Sequence, residues 1–464
     1  MIPLFGDEIR RAVGGRWLRR PAELSVRGIT TDSRSASEGD LFVALRGERF
    51  DGHDYLTQSA QGGCVMALVE ISRTIPAATM DAFSGGVIGV DGTTASLGML
   101  GAYHREKIAA NVIAVTGSNG KTTVKRMIHH ILSRRLKGSC SPKSYNNNIG
   151  VPLTLLDVGQ GDDYVVCEVG TNAPGEIAQL GDICRPDLAV ITSIGPSHLE
   201  KLVDTQGVAF EKASLLDCLK PGGAAVVPVG CEPLDKALRC RTCHLITFGQ
   251  DESSNLRMSG YRPTDKGCEF IVNGKVKVAL PMSGAHNASN ALSAIASAMR
   301  FGTSLEEAAV ALEDFAGERM RLTTIDAGAV TIIDDTYNAN PLSMAAAAGV
   351  LAERQAQRRV MIAGDMLELG DEAKKWHRRT AGVIAQSKID VLVGVGSLGG
   401  VMANEAKKLG LESHAFETVE AATEALPALI KDGDVVLLKG SRSMGMERLV
   451  DPIRRAFRPA GDEL

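Results

Sequence analysis

The segment T-G-S-N-G-K-T-T at 116–123 places glycines, one lysine and two threonine hydroxyls in an order suited to nucleotide phosphates. Glycine lets the backbone approach a phosphate, N–H groups at a helix N-terminus cradle it, and lysine adds a point charge. Gly117, Ser118, Asn119, Gly120 and Thr123 would form that cradle. Lys121 would reach the β- and γ-phosphates, and Thr122 would bind Mg²⁺. Val115 stands where the usual pattern has its first glycine. Two further groups follow apolar runs: the carboxylate of Glu168 and the imidazole of His198, within G-P-S-H-L-E at 195–200. Both are candidate metal ligands beside a triphosphate. Cys240 and Cys243 have the spacing of a metal half-site, with Cys231, His244 and Cys268 nearby. A structural zinc would need a second close pair, so free cysteines in strands and turns are the expectation.

These residues require a scaffold that brings strand ends together. The run 111–116 reads as a fully buried strand, and the pattern predicts a helix over about 121–136 behind the glycine-rich turn. Further buried-strand signals at 165–169 and 188–194 point to a mostly parallel sheet covered on both faces. Before it, residues 1 to about 100 read as a small α/β unit, with an apolar run at 41–45 and a turn-rich T-T-D-S-R at 30–34. A third unit begins near Gly317, with strands expected at 330–333, 360–363, 391–395 and 435–439. That is a doubly wound, Rossmann-like pattern, whose ligands belong at the carboxyl ends of the strands. Asp334-Asp335, Gly364-Asp365-Met366 and Gly440-Ser441-Arg442 fall at three such ends. The alanine run at 344–348 fits a packed helix better than a linker. The expectation is α/β architecture in three domains: 1–102, a central phosphate-loop domain 103–316, and 317–464.

Composition agrees with that plan and removes other classes. At roughly 150 residues per domain, 464 residues make about three. Aromatics are only 4 %, too few for base-stacking platforms. A formal net charge of −4 sets up no global field for nucleic acid or a membrane surface. The N-terminal residues lack a signal-peptide pattern, and no run of about 18 apolar residues occurs. Nine cysteines, an odd number scattered along the chain, suit a reducing cytoplasm better than a disulfide framework.

Taken together the motifs resemble the Mur ligase family of peptidoglycan synthesis over nearly the whole chain. Beside the phosphate loop, the matches are Y-N-N-N-I-G-V-P-L-T at 145–154, E-V-G-T-N-A-P-G-E-I at 168–177, I-G-P-S-H-L-E at 194–200 and H-N-A-S-N-A at 286–291. They continue with D-D-T-Y-N-A-N-P at 334–341, G-D-M-L-E-L-G at 364–370 and K-G-S-R at 439–442. In the first unit, T-D-S-R at 31–34 and D-G-H-D at 51–54 are similar to the family's UDP-sugar module. Each motif is weak alone; their order and spacing are specific.

The resemblance implies an ATP-dependent ligase that makes an amide bond through an acyl-phosphate, with two Mg²⁺ ions. It assigns catalytic roles to Lys121, Glu168, His198 and Lys212. Thr122, Glu168 and His198 would contact metal, joined by Lys212 if CO₂ carbamylates its amine into a carboxylate-like ligand. Phe210-Glu211 before that lysine depart from the small and basic residues expected there. Asn287 and Asn290 would contact adenine, and Arg319, Asp335, Tyr337 and Asn338 would close on ATP. Glu318 is inserted between Gly317 and Arg319, where a Gly-Arg pair is usual. Thr31, Asp32, Ser33, Arg34, Arg46, Gly47, Asn146, Asn147 and Asn172 would hold the UDP-linked substrate.

Within the family, D-Y-A-H-x-P and a later D-N-P-R mark ligases for a diamino acid, and neither is present. The 337–341 and 364–370 motifs point instead to D-alanyl-D-alanine as acceptor and a UDP-N-acetylmuramoyl-tripeptide as acyl donor. A folylpolyglutamate-type ligase would share the phosphate loop but lack the T-D-S-R module. A nucleotide switch without catalysis would not need Lys121, Thr122, Glu168 and His198 together. A monomeric, cytoplasmic enzyme is expected.

Overall fold

Three large sheets, with a two-stranded one of Leu4–Phe5 and Ser25–Val26, follow one another along the chain in the computed structural model, which describes residues 1–20 and 24–458. In the first, Arg16–Arg19, Val87–Val90, Met66–Glu70, Asp40–Val43 and Gly28–Thr30 lie in that spatial order. Its first pairing is antiparallel and the others parallel. The helix Thr93–Lys107 leaves this unit and packs on Gly150–Leu156 and Glu176–Cys184 of the next. It runs through the boundary expected after residue 102, so the first two units share one continuous helix. Close packing there uses a missing side chain: a Cβ on Gly101 would come within 2.9 Å of Pro152.

The central sheet has nine strands among the described residues. Parallel strands Gly138–Cys140, Tyr164–Glu168, Asn111–Thr116, Leu188–Ile191, Ala224–Pro228, His244–Gly249 and Leu256–Thr264 run from one edge. Their apolar side chains fill separate cores on the two faces, as continuous buried runs require. The sheet does not stay parallel: Gly267–Val272 and Val276–Leu280 extend it antiparallel. A tight turn joins these two strands, with Asn273 at φ 52 and Gly274 at φ 67. The helix expected over about 121–136 ends earlier, spanning Lys121–Leu132 and burying Val124, Met127, Ile128 and Ile131.

In the third sheet the order is Thr323–Asp326, Thr331–Asp334, Asp434–Lys439, Arg358–Gly364, Val391–Val395 and Glu412–Phe416. Only the first pairing is antiparallel. The alanine-rich run sits in the helix Pro341–Glu353, packed against this sheet. Leu199, Leu202 and Val208 of the central unit enter the third unit's core beside Met366 and Leu369. That shared core sets the carboxyl ends of the central and third sheets against each other. No helix of the described residues is long and apolar enough to cross a membrane.

Candidate active site

Register explains how distant motifs converge. Glu168 pairs with Val115 and Ile191 with Thr116, so Glu168 and Thr192-Ser193 end beside the phosphate loop. The Ser118 amide donates to Ser193 O at 2.8 Å, and the Ser118 hydroxyl donates to Gly195 O at 2.9 Å. Gly120 takes φ 81, and a Cβ there would come within 2.3 Å of Asn290 Oδ1. Glycine is therefore needed both for the left-handed backbone and for the approach of the next helix. The loop opens into a cleft of about 1400 Å³ to which all three units contribute.

Lys121 turns its ammonium back to Gly117 O, 2.8 Å away. Burial lowers its pKa, with the Glu168 charge opposing and Arg321 adding to the shift. Asn146 Nδ2 donates to Glu168 Oε1 at 2.9 Å, while Glu168 Oε2 is buried without a hydrogen bond. Glu168 lines the cleft beside the phosphate loop, and a carboxylate there whose Oε2 accepts no hydrogen bond suits a divalent cation, so the residues present fit a metal. Among the described residues no three His, Cys, Asp or Glu side chains cluster as a ready-made metal site. The phosphates and the Thr122 hydroxyl would have to complete the shell. The same holds for zinc at Cys240 and Cys243: all nine cysteines are free thiols.

From the third unit, Asp334 pairs with Leu438, which places Asp335 against Lys439. Lys439 Nζ donates to Asp335 Oδ2 at 2.6 Å and to Asn338 O at 2.9 Å. Burial raises the Asp335 pKa, while Lys439 and Arg321 oppose it. Three contacts tie this unit to the loop side. Asn119 and Asn340 exchange amide hydrogen bonds at 3.2 and 2.9 Å. The hydroxyls of Ser144 and Tyr337 lie 2.6 Å apart. His198 Nδ1 lies 2.6 Å from Glu368 Oε2, and that contact lowers the Glu368 pKa.

Of the residues expected in the site, Ser118 to Thr123, Glu168, His198, Asn287 and Asn290 line the cleft. So do Asn146, Asn147, Asn172, Asp335, Tyr337 and Asn338, whereas Gly117 lies behind the loop, its carbonyl held by Lys121. Arg319 is elsewhere: it lines a separate pocket of about 390 Å³. Arg321 reaches the phosphate loop instead, donating to Thr122 Oγ1 at 3.0 Å and stacking 4.1 Å from the Tyr337 ring centre. Lys212 is buried behind the cleft, its pKa pushed well down by burial and then by Lys121. Its neighbour Glu211 accepts from the amides of Gly175 and Ile177 at 2.7 and 2.8 Å. Glu211 thus fixes the 171–177 turn, which accounts for an acid at that position.

The first-unit residues stand apart. Asp32 accepts from the Arg34 amide at 3.0 Å and binds its guanidinium at 2.9 and 2.7 Å. Ser33 donates to Gln58 at 3.0 Å, Thr31 precedes this turn, Arg46 bridges Asp51, and the Gly47 amide donates to Phe50 O at 2.9 Å. None of these lines the large cleft; Thr94, Ala95, Gly98, Met99 and Ala102 of the shared helix do. The small side chains of Thr94, Ala95, Gly98 and Ala102 on one helical face were a signal that sequence reading passed over.

Family models match three stretches of the chain: Mur ligase family, catalytic domain, at 25–84; Mur ligase middle domain at 115–298; and Mur ligase, glutamate ligase domain, at 318–442. The UDP-N-acetylmuramoyl-tripeptide–D-alanyl-D-alanine ligase of Bacillus subtilis is 35 % identical, covering 92 % of each chain. Its namesake from Escherichia coli is 34 % identical, covering 92 % of this chain and 94 % of its own. A crystal structure of MurF from Acinetobacter baumannii superposes with a TM-score of 0.88 at 34 % identity, covering 98 % of this chain and 99 % of that one.

Proposed function

The chain belongs to the Mur ligase family, and from that premise we propose how its cleft performs the family's chemistry on a peptide and a dipeptide. It is an ATP-dependent ligase that joins D-alanyl-D-alanine to UDP-N-acetylmuramoyl-tripeptide in peptidoglycan synthesis. The observation that carries the mechanism is the meeting of the phosphate loop with Asp335, Tyr337, Asn338 and Lys439 across one cleft. A carboxylate is a poor acyl donor, because its leaving group would be an oxide. Transfer of the γ-phosphoryl group from ATP to the tripeptide carboxylate gives an acyl-phosphate and ADP. The dipeptide amine then attacks the acyl carbon, loses a proton, and expels inorganic phosphate.

Lys121 and the loop amides stabilise the charge that spreads over the transferred group. Glu168, His198 and Thr122 are the residues that would hold Mg²⁺, which supplies further charge neutralisation on the phosphates. Arg321 takes the role sought at Arg319, closing from the third unit onto the loop. Asn287 and Asn290, on the helix behind Gly120, are placed to meet the nucleotide. Burial, and then Lys121, lower the Lys212 pKa, which favours the neutral amine, the form able to add CO₂ and become an anionic metal ligand. Thr31 to Arg34, with Arg46 and Gly47, would hold the UDP end, and Asn146, Asn147 and Asn172 the peptide end. One copy of the chain suffices, since all three units of a single chain line the cleft. Nine free thiols support work in a reducing cytoplasm.

Phosphate release tests the reading. It should require ATP, the UDP-tripeptide and D-alanyl-D-alanine together. Release without the dipeptide, or none with all three, would sink it.

A further inference from the structure

Lys121 and Lys125 stand one turn apart on the phosphate-loop helix, yet only the first has a place in nucleotide binding. Lys125 is directed into the protein and is 1 % exposed. Its Nζ donates to Ser141 O at 2.8 Å and to Lys143 O, and it lies 3.3 Å from Glu168 Oε2. Two of its three N–H donors go to those carbonyls, and the carboxylate faces the ammonium as a charge pair without a hydrogen bond. A buried charge is costly unless paired, and a side chain such as Met would fill the same space without it. The charge must therefore answer to Glu168, whose side chain is only 2 % exposed and whose Oε2 has no hydrogen bond.

The same ammonium also organises the neighbouring chain. Ser141 Oγ accepts from the Glu168 amide at 2.8 Å and donates to Val166 O at 3.2 Å. Lys143, whose carbonyl Lys125 holds, takes a left-handed backbone at φ 43. From there the segment leads to Ser144, which touches Tyr337 of the third unit, and to Asn146, which holds the other oxygen of Glu168. We propose that Lys125 is a positioning residue: it balances the charge of Glu168, aims that carboxylate at the phosphate loop, and pins segment 141–147 beside it. The inference rests on Glu168 facing the metal. It also implies that the enzyme binds metal less tightly than a bare carboxylate would, because the incoming cation meets an ammonium.

The full chain is tested as Lys125→Met, Lys125→Arg, Glu168→Gln and the double variant Lys125→Met/Glu168→Gln. In chelator, without nucleotide, Lys125→Met should melt lower than wild type, and the double variant should recover most of that loss. At fixed ATP, Lys125→Met should reach half-saturation at about tenfold less Mg²⁺ while kcat falls, and Lys125→Arg should keep the wild-type half-saturation. A protein that is merely weakened would not bind metal more tightly. If Lys125→Met keeps the wild-type melting point and Mg²⁺ dependence, or the double variant melts no higher than Lys125→Met, the inference is overturned. Failure of the underlying reading looks different: Glu168→Gln would then show a wild-type Mg²⁺ dependence.

Discussion

At the phosphate loop, Lys125 and Glu168 are 1 % and 2 % exposed and are held by partners from three segments. In the first unit, Arg34 and Asp32 are 83 % and 45 % exposed and are bound chiefly to each other, two residues apart. Both regions lie where ligands are expected from the sequence: nucleotide and metal at the first, the UDP-linked substrate at the second. The buried one is arranged before any ligand arrives, since removing one member leaves a charge stranded in a dry interior. The exposed one is shaped only by a short turn that water can replace. Reaction chemistry needs fixed dipoles and charges, whereas a diphosphate-sugar handle needs only to be caught.

The sharpest way to break this comparison is to remove the ammonium of the phosphate loop. We expect Lys121→Ala to cut turnover by at least roughly 10³-fold. Melting temperature and affinity for the UDP-linked substrate should stay close to wild type, because the first unit has its own sheet and a core around Phe42 and Phe83 built from its own residues. Calorimetric titration with the UDP-tripeptide measures the second quantity. Loss of both together would mean that the two regions are not separable.

Between these extremes lies His198, held from another unit. Its backbone is left-handed at φ 53, and Glu368, itself at φ 63, meets its Nδ1. A carboxylate beside one ring nitrogen orients the ring and leaves the other nitrogen for metal. We expect Glu368→Gln to cost about 10- to 100-fold in turnover and to raise the Mg²⁺ requirement. Steady-state rates across a Mg²⁺ series check both. An unchanged Mg²⁺ requirement would make the pair an ordinary contact between units, no different in kind from Arg34 with Asp32.

The sequence carried the buried region more fully than the exposed one, for physical reasons. Strand 111–116 was legible to the residue because a strand covered on both faces is a continuous apolar run. The loop residues followed from their spacing, and Glu168 from its place at a strand end. Lys125 was invisible, because a lysine four positions into an amphipathic helix ordinarily reads as a solvated charge. Arg321 was missed in favour of Arg319, since no spacing rule says which arginine of a short irregular segment turns inward. The antiparallel end of the central sheet had a local signal in Asn273-Gly274, a hairpin turn pair between alternating strands. The shared helix Thr93–Lys107 lacks the one-sided apolar stripe that marks a surface helix, and its only signal is the row of small residues facing the cleft.

The smallest effect should come from the exposed pair itself. Hydrogen bonds from the Arg34 side chain, and then from its amide, hold the Asp32 carboxyl at a pKa of about 2. A carboxyl lowered on folding stabilises the native state above its ordinary value of 3.8, and that contribution fades as pH falls toward 2. Solvent screens a pair this open, so at neutral pH Asp32→Asn should shift the melting temperature by about a degree or less. The same change loosens Arg34, the cation expected to meet the UDP-linked substrate. KM for that substrate should rise by about fivefold or less with kcat unchanged, the signature of lost uniform binding. A drop in kcat instead would show that the first unit helps to align the reacting carboxylate. The contrast between a handle that is caught and a site that is built would then not hold.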